Sequence, residues 1–174
     1  FLICYGNQTG TAFLYFEEKY AVFITAKHTL ASARAGDRIL FKRGEEWASF
    51  SLGALWNDPR GFDACAFIID DFVVPKDSRT KTGGALYPGE PLKFLGFPHG
   101  LVGNFPDQGF PTPLVRTAYF SGVIVIDGLK ITILDGFNNP GFSGGPVYVT
   151  YENETSLFAM ISGYRQERPS HGRV

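Results

Sequence analysis

The apolar residues of this chain follow no sustained helical repeat, which argues against amphipathic helices as its main elements. Short apolar and aromatic runs instead alternate with turns built from Gly, Pro, Asn and Asp. The 17 Phe and 8 Tyr favour strands, whereas the 21 Gly and 11 Pro favour the turns between them. The pattern therefore predicts an all-β protein.

The predicted strands fall into two groups, separated by a stretch that contains several Pro and Gly residues. The first group lies at residues 1–5, 12–16, 20–25, 38–42, 47–52 and 64–69, and the second at 91–97, 114–120, 123–127, 130–134, 147–150 and 157–162. A short helical turn is expected around His28. The chain thus divides into a first half (1–75), a linker (76–88) and a second half (89–174). Two small barrels or sandwiches are the most economical architecture.

Charge and cysteine content limit the partners and cofactors of the chain. With 16 basic and 17 acidic residues its net charge is −1, so the composition indicates no nucleic-acid or anionic-membrane partner. No apolar run approaches the ~20 residues of a membrane span. Cys4 and Cys65 lie in apolar strand-like runs and define neither a disulfide framework nor a metal site, although a bridge between them stays open. We predict no metal and no other cofactor.

A serine set between glycines, at residues 139–147 (NPGFSGGPV), is the strongest candidate for chemistry. Glycine is needed where the backbone adopts a positive φ or approaches another group closely. A serine on such a turn presents its hydroxyl outward, and nearby backbone N–H groups can stabilise an oxyanion. The alternative is an ordinary turn before the strand at 147–150. A base and an orienting acid elsewhere in the chain would decide between them.

His28 and Asp63 are the candidates for base and acid. His28 follows an apolar strand, where an unpartnered imidazole would be unfavourable, and a partly buried structural histidine is the alternative. Asp63 precedes a run that must be buried, and a carboxylate there is costly unless it is hydrogen-bonded or paired. Capping of the preceding loop is its alternative role. Its rivals Asp58, Asp70 and Asp71 have more polar neighbours, and the remaining histidines are His99 and His171.

Together, the three residues supply what acyl transfer requires. A hydroxyl needs a base within hydrogen-bond reach, and the imidazole needs an acceptor on its other nitrogen. His28, Asp63 and Ser143 provide base, orienting acid and nucleophile in that chain order. The run 141–145 also matches the nucleophile elbow of α/β-hydrolases. That fold needs alternating strands and helices with the acid and histidine after the serine, so we reject it for this chain.

Several segments resemble those of the chymotrypsin-like serine proteases. Residues 25–28 are similar to the family's Thr-Ala-x-His, and Asp63 is followed by the small and apolar residues that the family has there. The serine motif at 139–146 and the segment at 89–98 are close to the bacterial HtrA-type branch. The resemblance spans nearly the whole chain. It implies two six-stranded β-barrels with the active site in the cleft between them.

The resemblance also implies a role for each matched residue. His28 would act as general base and then as acid, Asp63 would orient it, and Ser143 would be the acylated nucleophile. The backbone N–H groups of Gly141 and Ser143 would form the oxyanion hole. Three consecutive positions would pair with the substrate backbone by β-addition, namely Ser162, Gly163 and Tyr164.

Two departures from the family pattern carry predictions. Phe142 stands where digestive members have the acid that binds a freshly cut N-terminus, so that ion pair does not activate this chain. Phe137 lies near the expected base of the specificity pocket, and Tyr164 lies at its rim. With no acid at the pocket base, we expect apolar side chains rather than Arg or Lys at the cleaved position.

The functional prediction is a serine endopeptidase that acts on polypeptide substrates. One alternative is a non-catalytic peptide-binding module on the same scaffold, since such folds can lose activity and keep a groove. Another is a self-processing protease that cleaves its own polyprotein, as viral relatives do.

Overall fold

The structure is a computed structural model, and it describes residues 1–17, 20–70, 72, 79–103 and 109–163. Strands dominate these residues, and the two helical segments are short 3₁₀ turns, Lys27–Leu30 and Pro98–Gly100. The strands are β1 (Leu2–Tyr5), β2 (Gln8–Glu17), β3 (Tyr20–Thr25), β4 (Arg38–Arg43), β5 (Glu46–Asn57), β6 (Cys65–Ile69), β7 (Pro91–Gly96), β8 (Leu114–Ile126), β9 (Leu129–Asp135), β10 (Pro146–Tyr151) and β11 (Glu154–Met160). The all-β prediction is confirmed.

The first half forms a closed barrel of strands in the order β1-β2-β3-β6-β5-β4. All six pairs of neighbouring strands in this barrel are antiparallel. Aromatic side chains fill the interior: Phe23 stacks on Phe67 with ring centroids 5.2 Å apart and meets Phe41 edge-on at 5.2 Å. These three rings are 2% exposed or less. Burial of so much apolar surface holds the barrel closed.

The second half forms a five-stranded antiparallel sheet in the order β11-β10-β7-β8-β9. Its core includes Leu92, Phe94, Ala118 and Val147. Over the described residues this sheet is open, whereas the resemblance implied a second six-stranded barrel. A closed barrel beside a second sheet remains consistent with the chymotrypsin-like fold.

Residues 114–126 form one strand, β8, where the sequence predicted two. The pairing of β8 with β9 shifts register between Phe120 and Gly122, which marks a β-bulge. Gly122 has φ 150, so the strand bends there without ending. The predicted hairpin turn at Asp127 and Gly128 is present, and both residues have the positive φ of such a turn, 50 and 80 respectively.

The part of the predicted linker that the structure describes contacts both halves. Thr80 exchanges hydrogen bonds with Phe16 of β2: its N–H donates to the Phe16 carbonyl, and the Phe16 N–H donates to its hydroxyl. Thr82 forms a parallel bridge with Leu157 of β11. Residues 73–78, which include the predicted boundary at 75 and 76, lie outside the described residues.

No helix among the described residues has the length and apolarity needed to cross a membrane.

Candidate active site

His28 and Asp63 are brought together by the pairing of β3 with β6. Thr25 lies opposite Cys65 in this antiparallel register, so residues just beyond the two strand ends face each other. The His28 N–H donates to Asp63 Oδ1 at 2.9 Å, and His28 Nδ1 lies 2.6 Å from Asp63 Oδ2. The side chains are 50% and 35% exposed. The carboxylate thus holds both the backbone and the ring of His28.

This contact determines how the imidazole can function. An ionised carboxylate only accepts hydrogen bonds, so a contact of this length with Asp63 requires the proton on His28 Nδ1. In the neutral ring, Nε2 is then left as an acceptor. The pair therefore has the tautomer and orientation that a general base needs.

The serine turn depends on two glycines with positive φ, Gly141 (φ 103) and Gly144 (φ 82). A Cβ atom on Gly141 would overlap the Phe97 carbonyl, and one on Gly144 would overlap the Thr11 carbonyl. Both the backbone angle and the lack of space require glycine at these positions. The glycine frame that singled out the turn in the sequence thus has a steric cause.

The backbone carbonyl groups of residues 140–143 all accept hydrogen bonds. Taken in chain order, their donors are the His99 N–H at 2.9 Å, the Thr11 hydroxyl at 2.7 Å, the Gly145 N–H at 2.8 Å and the Thr11 N–H at 2.9 Å. Each peptide unit of the turn is therefore fixed from outside or by a neighbouring residue.

These bonds leave the N–H groups of Gly141 and Ser143 available. None of the described peptide bonds is cis, and the carbonyl and N–H of a trans peptide unit point in opposite directions. The carbonyls of Pro140 and Phe142 are engaged, so the N–H groups on the same peptide units point away from those donors. Neither N–H donates a hydrogen bond within the described residues. The two N–H groups that the resemblance gives to the oxyanion hole are thus free of protein acceptors among the described residues.

Phe142 anchors the turn in the core of the second half. Its side chain is fully buried and meets Phe94 of β7 edge-on, with ring centroids 4.8 Å apart. Gly96 makes room for it, since a Cβ atom there would lie 2.5 Å from the ring. Apolar packing thus occupies the position where the resemblance places an ion pair.

The serine turn lies against the strands that lead to His28. The Ser143 carbonyl accepts from Thr11 of β2, and β2 pairs with β3, which ends at Thr25. A Cβ atom on Gly144 would overlap the Thr25 hydroxyl and the Ala26 nitrogen, so the turn lies against the chain just before His28. Within the described part of the chain, no hydrogen bond joins the Ser143 hydroxyl to the His28 ring. Such bonds are often long before substrate binds.

The predicted substrate-binding residues occupy different environments. Phe137 is 80% exposed, so it does not form the base of a buried pocket as the resemblance suggested. Ser162 and Gly163 are exposed just beyond β11, and the Gly163 carbonyl accepts from Asn138 Nδ2 at 3.2 Å. Tyr164 lies outside the described residues, and substrate binding by these residues stays a prediction.

The other histidines and aspartates that the sequence offered as alternatives to His28 and Asp63 form no comparable His–Asp pair among the described residues. Asp58 pairs with Arg60 at 2.9 Å, His99 is exposed, and Asp70 is exposed at the end of β6. Asp71 and His171 lie outside the described residues. No group of three or more His, Cys, Asp or Glu side chains in the described ranges could hold a metal ion.

Both cysteines are free thiols. Burial raises the pKa of Cys65 to about 12, with a smaller contribution from the neighbouring Asp63 charge. Burial also raises the pKa of Cys4. Because the thiolate is the nucleophilic form, neither cysteine is activated as a nucleophile.

Sequence reasoning assigned no functional role to Thr11 or to the backbone of His99. Thr11 is a polar residue directly before the apolar run at 12–16, which is the one signal that the sequence offers, and it is 2% exposed in the structure. Its partners are distant in sequence, so spacing alone does not reveal them.

The closed β-barrel beside a second antiparallel sheet is consistent with the chymotrypsin-like fold. Among solved structures, the chain is similar to Rv3671c from M. tuberculosis H37Rv, seen as a serine-to-alanine mutant in its inactive form. That match has 18% identity and a TM-score of 0.58, and it covers 84% of this chain and 66% of the other. Deg5 matches with 18% identity and a TM-score of 0.56, covering 84% and 71%.

Both neighbours are HtrA-type proteins. At this identity the likeness is one of fold, and the chain spans about two thirds of the length of Rv3671c, at 66%. No protein-family model matches the chain, and no curated protein matches it.

Proposed function

We propose that this chain is a serine endopeptidase in which His28, Asp63 and Ser143 form the catalytic triad. The observation that carries the proposal is the double contact between His28 and Asp63, at 2.9 Å to the backbone N–H and 2.6 Å to Nδ1. An aspartate that only capped its own loop would need no contact with the imidazole ring. The contact with Nδ1 orients the ring and prepares Nε2 to accept a proton.

The reaction follows from the three side chains. Ser143 Oγ attacks the carbonyl carbon of the scissile bond while its proton passes to His28 Nε2, and Asp63 stabilises the resulting imidazolium. The carbonyl oxygen becomes an oxyanion that accepts from the N–H groups of Gly141 and Ser143. When the C–N bond breaks, His28 returns the proton to the leaving amine. A water molecule then repeats the sequence on the acyl-enzyme and releases the acid.

We further propose that the substrate is a polypeptide cleaved after an apolar residue. This preference rests on the sequence alone: at the position that the resemblance places near the base of the specificity pocket, the chain has Phe137 rather than an acidic residue. Phe137 itself is 80% exposed, so the structure adds no pocket of its own to the argument. Cleavage of a peptide panel that varies only at this position tests the preference. Faster cleavage after Arg or Lys would contradict it.

A non-catalytic peptide-binding module is the second candidate. The observation that favours it is the missing hydrogen bond between the Ser143 hydroxyl and the His28 ring within the described residues. In such a module, the groove would bind a peptide without cleaving it.

A serine-directed phosphonate probe separates the two candidates. We expect it to label the wild-type protein and to leave Ser143→Ala unlabelled, because the probe requires an activated hydroxyl. His28→Ala should slow peptide hydrolysis by about a thousandfold or more, because the base is lost. Arg60→Ala, which removes the partner of the rival Asp58, is the matched control and should keep its activity.

Absence of labelling and of hydrolysis in a folded wild-type protein would refute the enzyme. Peptide binding by that same protein would support the second candidate. A loss below tenfold in His28→Ala would count against the triad even if labelling occurred.

A further inference from the structure

Thr11 connects the barrel to the serine turn of the second half. It lies on β2 and is 2% exposed. Its hydroxyl and its N–H donate to the Gly141 and Ser143 carbonyls, at 2.7 and 2.9 Å respectively. Its own carbonyl accepts from the hydroxyl of Thr25, at the end of β3, at 2.7 Å. Thr11 thus forms hydrogen bonds with the two residues that flank Phe142 and with the last residue of β3, the strand that precedes His28.

The Thr11 hydroxyl has a single defined orientation. It donates to the Gly141 carbonyl and accepts from the Phe97 N–H at 3.2 Å. The Phe97 N–H also reaches the Gly141 carbonyl directly, but at 3.4 Å, which is long for such a bond. The hydroxyl is therefore the principal donor to this carbonyl.

We propose that Thr11 is a positioning residue. Its hydroxyl holds the peptide unit between Gly141 and Phe142, so that the oxyanion-hole N–H groups on either side have their final orientation before substrate binds. The proposal rests on the proposed serine endopeptidase activity. It assigns part of the active-site geometry to a side chain of the opposite half, one that contacts neither substrate nor the reacting atoms.

The conformational freedom of Gly141 makes this bond important. Gly141 has φ 103, and glycine resists rotation of the adjoining peptides less than any other residue. Without the hydroxyl, the peptide between Gly141 and Phe142 loses its short hydrogen bond. Small misplacement of oxyanion donors lowers the rate of the chemical step and leaves substrate binding largely unchanged.

The test compares Thr11→Val with Thr11→Ser and with a matched control, Thr29→Val. Valine keeps the shape of Thr11 and its backbone N–H bond but removes the hydroxyl, whereas serine keeps the hydroxyl. Thr29 is also buried, at 1% exposed, and its hydroxyl has no partner among the described residues. Active sites are counted by phosphonate titration, so that loss of folded protein is separated from a slower reaction.

We expect Thr11→Val to lower kcat per titrated site by about ten- to a hundredfold, with KM changed less than about threefold. Its affinity for a peptide aldehyde, whose bound adduct occupies the oxyanion hole, should fall in parallel. Thr11→Ser and Thr29→Val should stay within about threefold of wild type in kcat. If Thr11→Val does not fold, Thr11→Ala carries the same expectation.

Wild-type kcat in Thr11→Val would overturn the positioning role. So would equal losses in Thr11→Ser and Thr11→Val, because the methyl packing rather than the hydroxyl would then matter. A rise in KM alone would also overturn it. Failure of the endopeptidase itself looks different, since the wild-type protein would then neither hydrolyse peptide nor bind the phosphonate.

Discussion

Gly141 and Gly144 show how single residues shape the serine turn. At both positions, a positive φ combines with a neighbouring backbone carbonyl that leaves no space for a side chain. Gly36 provides a comparison, because its φ of 91 is similar but nothing lies within 4 Å of a Cβ atom there. Backbone strain and steric overlap can thus be separated by experiment.

At this scale, we predict that Gly36→Ala costs about 1 kcal/mol of the free energy of unfolding, from backbone strain alone. Gly144→Ala should cost about 1–3 kcal/mol more, because the methyl group must displace Thr11 or Thr25. Urea unfolding measures both changes, and a peptide assay should show lost activity only in Gly144→Ala. Equal costs would contradict the steric argument.

The packing of the serine turn on β7 is the main feature at the scale of elements. Phe142 is fully buried against Phe94, whereas Phe137, on the segment that leads into the turn, is 80% exposed. The two phenylalanines lie on one connection between β9 and β10 but in opposite environments. Burial of Phe142 thus stabilises the turn where the resemblance would place an ion pair.

We therefore predict that Phe142→Ala costs about 3–5 kcal/mol of unfolding free energy, the range for deleting a buried aromatic ring. Phe137→Ala should change it by less than about 0.5 kcal/mol, as for an ordinary surface position. Thermal or urea unfolding checks both values. If Phe137 contacts substrate as predicted, its variant should show a raised KM at unchanged stability, and similar destabilisation of both variants would contradict the packing argument.

At the scale of the whole molecule, the candidate triad is divided between the halves. His28 and Asp63 belong to the barrel, and Ser143 belongs to the connection between β9 and β10 of the second sheet. Direct hydrogen bonds between the halves, such as those of Thr11 to the serine turn, set their relative position. Catalysis by such a site requires both halves to act as one unit.

Because the three side chains would act in one step, the fold-losses in kcat/KM caused by removing two of them should not multiply. We predict that the His28→Ala/Ser143→Ala double variant has a kcat/KM within about tenfold of that of either single variant. Purified variants and a sensitive fluorogenic peptide allow this comparison. A double variant slower by the product of the two single effects would show that the residues act independently.

Local patterns were sufficient to predict most strands and the composition of the candidate site. Alternating apolar runs and turn residues predicted the barrel strands, because each run must bury one face and each turn needs Gly, Pro, Asn or Asp. The positions of His28 and Asp63 beside buried strands singled them out, since polar groups there need partners. β8 was predicted as two strands because a bulge at Gly122 has the same local composition as a turn.

The sequence by itself determined the fold class and the three candidate catalytic residues, since both depend on residue types and on their immediate neighbours in the chain. Tertiary structure alone decided that Asp63 binds both His28 N–H and Nδ1, that Phe137 is exposed, and that Thr11 holds the serine turn. Thr11 and Gly141 are 130 positions apart, and their contact exists only because the barrel packs against the second sheet. Contacts of this kind depend on how the barrel packs against the second sheet, and local sequence patterns do not predict that packing.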